Sequence, residues 1–136
     1  MRIFKNKWFV RFARKERITD AKLVEAVKNA EKGFIDADYG GGVFKQRIAP
    51  GEGKSGGYRS IILFRRGKAA FFVYGFAKSE QDNIDESDER DFKELAKALF
   101  AASDEKLKEL TDSGKFTEVK DDEEDGEKGD KEGEEL

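Results

Sequence analysis

The chain has 136 residues, 42% of them charged, with no cysteine, no histidine and a formal net charge of −3 at pH 7. That length suits one domain with one core and a single site. The missing residue types exclude disulfides, thiolate nucleophiles and histidine or cysteine metal sites, so any chemistry falls to Lys, Arg, Tyr, Ser or carboxylates.

In chain order, residues 1–4 suit a short strand. Residues 5–16 then set Trp8, Phe9 and Phe12 on one helical stripe, with Lys7, Arg11, Arg14 and Lys15 on the wetter side. Thr19 or Asp20 caps a second helix reaching about Lys32, with Leu23, Val24, Val27 and Ala30 inward and Gly33 as its stop. These two helices are expected to pair as an antiparallel hairpin.

Gly40, Gly41 and Gly42 then break the chain, and VFKQRIA alternates with period two, as a strand with one charged face does. Past a loop at residues 50–57, YRSIILF and AAFFVYGFA are β-branched and aromatic runs joined by the turn RRGK, which completes a three-stranded antiparallel meander. Apolar runs of this kind indicate a central strand covered on both faces.

Residues 89–101 place Phe92, Leu95, Ala96, Leu99 and Phe100 on one side of a further helix, and Ser103 caps a shorter one with Leu107 and Leu110. The final DDEEDGEKGDKEGEEL reads as a disordered acidic tail. The fold class is therefore α+β: an N-terminal helical hairpin on a small antiparallel β-sheet, then C-terminal helices. One domain covers residues 1–119 and the tail residues 120–136.

The small net charge conceals a division. Residues 1–80 hold 18 Lys and Arg against 8 Asp and Glu, and residues 81–136 reverse the balance with 9 against 22. A basic body attracts polyanions, and an acidic extension can solubilise the chain or fold back over the basic surface. No segment approaches the roughly 20 apolar residues of a membrane helix, and the N-terminus lacks a leader pattern, so a cytoplasmic protein is expected.

The stretch PGEGKSGGYR invites comparison with a phosphate cradle. Its spacing fails, because the position five before Gly53 is Ile48, and its exit is a strand rather than a helix N-terminus. A glycine-rich hairpin loop accounts for the glycines. It does not account for the cations: Lys45, Arg47, Lys54 and Arg59 crowd the mouth of this hairpin, and Lys78 ends the next strand, so together they can line one groove.

GGGVFKQRIA, GEGKSGGYRSIILFRRG and AFFVYGFAKSEQDNI together resemble the RelE-type toxins of bacterial type II toxin-antitoxin systems, over roughly residues 1–119. The resemblance implies a RelE/ParE-like fold, a cognate antitoxin that is a small helix-turn-helix protein, and cleavage of messenger RNA on the ribosome. In such enzymes the ribose 2′-hydroxyl attacks the adjacent phosphate, so the protein supplies no nucleophile and no metal or other cofactor is expected. Matched to the family's motif, Lys45, Arg47 and Arg59 are the catalytic candidates, with Lys45 the base if neighbouring cations free its amine. Lys54, Tyr58 and Lys78 are candidate RNA contacts. The family's later arginine and tyrosine fall near Ser79 and Asp85 here, which leaves the acid unassigned; Tyr58 and Tyr74 are substitutes. The resemblance keeps open a ParE-like toxin that blocks DNA gyrase, and the charge pattern alone allows a plain RNA-binding module.

Overall fold

The structure is a computed structural model that describes residues 1–50 and 57–120. Its elements run β1 (Arg2–Asn6), α1 (Lys7–Glu16), α2 (Asp20–Glu31), β2 (Ala37–Gly40), β3 (Val43–Ile48), β4 (Tyr58–Arg65), β5 (Ala69–Ala77), α3 (Glu86–Phe100), α4 (Asp104–Asp112) and β6 (Phe116–Val119). The expected disorder of residues 121–136 lies outside the described residues, as does Lys54.

The α+β class holds, with four helices among the described residues and a larger sheet than expected. Six strands are ordered β2-β3-β4-β5-β1-β6. The β3-β4-β5 meander sits inside this sheet, with Arg47 opposite Arg59 and Arg59 opposite Phe76. The sheet is mixed and not antiparallel throughout, because β1 lies parallel to β5 while β6 runs antiparallel to β1. The short strand expected at residues 1–4 is present as β1, whereas β2 and β6, of four residues each, carry too few alternations to stand out by periodicity.

Helices cover both faces. Phe9 and Ala13 of α1 and Leu23, Val24 and Val27 of α2 join Ile62, Phe64 and Phe72 in one apolar cluster. On the other face Ala96 and Leu99 of α3 and Leu107 of α4 join Ile61, Leu63 and Phe71. The side chains of Phe4, Phe9, Phe71 and Phe72 are wholly buried, and burial of each stabilises the fold by about 1.5–3 kcal/mol. The principal packing of α1 is on β5 and that of α2 is on β3, so each helix of the N-terminal pair rests on its own part of the sheet.

One irregularity joins β1, α1 and β5. Tyr74 lies opposite Ile61 but Phe72 lies opposite Ile62, which leaves Val73 as the extra residue of a bulge. Its carbonyl accepts a hydrogen bond from the Asn6 side-chain amide at 3.1 Å. The Asn6 Oδ1 in turn accepts from the Phe9 amide at 2.8 Å and caps α1. That cap starts α1 at Lys7, two residues later than its apolar stripe suggested.

Beyond the end of β1, α1 lies against the free half of β5. A Cβ at Gly75 would stand 2.5 Å from the Phe12 ring, and Trp8, Phe9 and Tyr58 surround that ring at centroid distances of 5.2, 5.5 and 5.9 Å. The ring has little room to retreat. Gly75→Ala is therefore expected to destabilise the domain by about 1–3 kcal/mol, the usual cost of overpacking; a urea midpoint indistinguishable from wild type would show that α1 adjusts freely.

Candidate functional site

Strand β3 alternates Val43 and Lys45 on the α3 face with Phe44, Gln46 and Ile48 on the α2 face. Strand β4 places Arg59, Ile61 and Leu63 on that same α3 face. Near α3 the face is apolar. Toward the far end of the strands it becomes Lys45 and Arg59, whose side chains are only 15% and 12% exposed.

These two cations line an open cleft of about 350 Å³ with Asp36, Lys78, Gln81 and Asp82. Three of the predicted residues, Lys45, Arg59 and Lys78, thus meet in one place. Arg47 does not join them: although it faces Arg59 in the strand register, it lines a separate cleft of about 380 Å³ with Lys22, Glu25 and Asn29 of α2. Asp36 borders both clefts.

Asp36 was not anticipated. One of its carboxylate oxygens, Oδ2, stands 3.4 Å from the Lys45 Nζ and 3.3 Å from the Arg59 Nε, so a single oxygen bridges both cations. The Lys45 ammonium also donates to the Asp82 carbonyl at 3.1 Å, and an Arg59 Nη donates to the Tyr58 carbonyl at 3.3 Å. The charge that Lys45 meets at contact distance is the Asp36 carboxylate.

The segment that carries Asp36 is pinned from below. Gln46, a buried polar side chain, donates from its amide nitrogen to the carbonyls of Ala26 in α2 and Phe34, both at 2.9 Å. The Asp36 amide donates to the Lys45 carbonyl at 3.0 Å, extending the β2-β3 ladder by one bond. In sequence, Asp36 stands alone between a helix stop and a glycine triplet, with no partner at any regular spacing. Only the strand pairing brings it to the cations.

The opposite wall of the cleft is residues 78–84. Tyr74 donates its hydroxyl to Gln81 Oε1 at 3.4 Å, Gln81 donates to the Asn83 carbonyl at 2.6 Å, and Tyr39 donates to the Asn83 side chain. Lys78 is exposed, and its amide donates to the Gly57 carbonyl at 3.3 Å, closing the strand end. Asp85 caps α3 by accepting from the Asp88 amide at 2.8 Å.

Tyr58 is oriented away from this cleft. It lies on the α1 face, 3% exposed, edge-on to Phe12, with its hydroxyl donating to the Glu16 carboxylate at 2.9 Å. Among the described residues it is thus held by Phe12 and Glu16 and does not line the cleft with Lys45 and Arg59. Among the described residues no group of acidic side chains could hold a metal ion, and no helix is long and apolar enough to cross a membrane.

Comparison with known protein families matches residues 1–119 to the RelE toxin of the RelE/RelB toxin-antitoxin system. The chain belongs to the RelE toxin family. No curated protein matches it. As a toxin of that system, this RelE-family protein has an antitoxin for a partner, and the match ends where β6 ends.

Burial, and then the adjacent Glu16 carboxylate, raise the Tyr58 phenol above its ordinary 10.0. The folded toxin thus holds this proton more tightly than the unfolded chain. The associated stability is complete below pH 10 and is lost as pH climbs from there toward the folded-state value. Tyr58→Phe is expected to lower stability by about 1 kcal/mol at neutral pH and to lessen the alkaline loss. Denaturant titrations of both proteins between pH 8 and pH 11 check this; parallel curves would refute it.

Proposed function

We propose that this RelE-family toxin is a metal-independent endoribonuclease that cuts messenger RNA on the ribosome and so stops translation. The observation that carries the reading is the convergence of Lys45 and Arg59, from adjacent strands, on one open cleft that Lys78 also lines. A cleft with cations on rigid strands suits a phosphodiester, because preorganised charge stabilises the negative charge that gathers on phosphorus's oxygens as the 2′-hydroxyl attacks. Arg59 offers a planar fork for two of those oxygens, and Lys45 a compact charge beside it.

Lys78, at the exposed rim, and Lys54 contact the RNA backbone. Arg47, on the neighbouring cleft beside α2, extends the basic track along the edge of β3. Its part is to hold the flanking nucleotides and not the scissile phosphate. The antitoxin, in this reading a small helix-turn-helix protein, neutralises the toxin by denying messenger and ribosome access to these cations.

The reading is tested by expressing the toxin in a bacterium and mapping messenger 5′ ends by primer extension. Wild type is expected to produce new ends within translated codons, and Arg59→Ala and Lys45→Ala to lower their yield by 10²–10³-fold, the scale for losing one oxyanion contact. Arg47→Ala should weaken binding more than the cleavage step. Arrested growth with intact messages and with DNA supercoiling blocked would replace this reading with gyrase inhibition.

A further inference from the structure

On the ribonuclease reading above, we infer that Asp36 is the general base that takes the proton from the attacking 2′-hydroxyl. The carboxylate is in contact with both cations assigned to the phosphate, at 3.4 and 3.3 Å. A phosphate drawn to Lys45 and Arg59 must therefore settle beside Asp36, and the ribose bearing the 2′-hydroxyl is bonded to that phosphate. The backbone that carries Asp36 is tied down, its amide to the Lys45 carbonyl and the Phe34 carbonyl before it to Gln46.

Geometry divides the roles. In an in-line displacement the attacking and leaving oxygens stand on opposite sides of phosphorus, so the groups that serve them are far apart. The Asp36 Oδ2 and Lys45 Nζ lie too close together to serve both. Lys45 and Arg59 accordingly hold the non-bridging oxygens, and Asp36 takes the attacking side. The 2′-oxygen bonds to phosphorus as its proton passes to Asp36, the bond from phosphorus to the 5′-oxygen breaks, and that oxygen takes a proton from water in the open cleft. Asp36 then returns its proton to water. The products are a 2′,3′-cyclic phosphate and a 5′-hydroxyl, with no oxidant, reductant or metal consumed.

The charged groups facing Asp36 in the cleft are Lys45, Arg59, Lys78 and Asp82. On the α2 side they are Lys22, Glu25 and Arg47. Around Asp36 the cations thus outnumber the acids.

The experiment is single-turnover cleavage of a messenger on programmed ribosomes by the purified full-length toxin, as wild type, Asp36→Asn and Asp36→Glu. Asp36→Asn is expected to cut about 10²–10⁴-fold more slowly, the range for losing an acid-base group, while binding the programmed ribosome at least as tightly as wild type. Its residual rate should rise about tenfold per pH unit, because hydroxide then replaces the missing base, whereas wild type and Asp36→Glu share a flatter profile. An Asp36→Asn protein as fast as wild type or faster overturns the inference and makes Asp36 a mere counterion. A slow variant that keeps the wild-type pH profile also overturns it, leaving Asp36 a positioning role. Wild type that leaves the message whole removes the ribonuclease reading itself, a separate result.

Discussion

A strand covered on both faces can display charge only where its cover stops. Strands β4 and β5 are buried against α1 and α2 on one side and α3 and α4 on the other, so Ile61, Leu63, Phe71 and Phe72 are obliged to be apolar. The cover on the α3 side fails toward the β4 N-terminus, and there Arg59 and Lys45 take over from Ile61 and Val43 on the same face. Their long side chains keep stems against the sheet and present charge at its rim. The site is thus a product of where α3 ends relative to the strands.

Placing cations so near a core has an electrostatic consequence that the chain meets locally. Asp36 neutralises part of the pair, the Asp82 and Tyr58 carbonyls accept from Lys45 and Arg59 respectively, and Gln46 uses its two donor bonds to hold the loop that brings Asp36. The polar groups form a connected set running from α2 through β3 to the cleft. Such a set specifies geometry because each member left unpaired would cost free energy.

The parts legible in the sequence were those with sustained periodicity or strong caps. The long apolar runs of β4 and β5, the β3 alternation and the stripes of α2 and α3 all announced themselves, as did the convergence of Lys45, Arg59 and Lys78. Legibility failed where order comes from partners distant along the chain. The four residues of β2 resemble a loop until β3 pairs with them, β6 is a strand chiefly because β1 provides an edge, and Asp36 has meaning only beside Lys45 across that pairing. The place of Tyr58 likewise depends on a distant partner, because the even positions of β4 face α1 and α2.

The place of β1 bears on when the fold can form. Its neighbours on the two sides are residues 69–72 and 116–119, and Arg2 reaches Glu118 with two hydrogen bonds of 3.0 Å. The first strand of the family domain therefore waits for one partner until more than half of that domain has been made, and for the other until the domain is nearly complete. Loop closure of this span is entropically costly and contributes to slow folding. During synthesis the N-terminal strand remains an open edge, so the toxin's sheet is finished only after its last strand has left the ribosome.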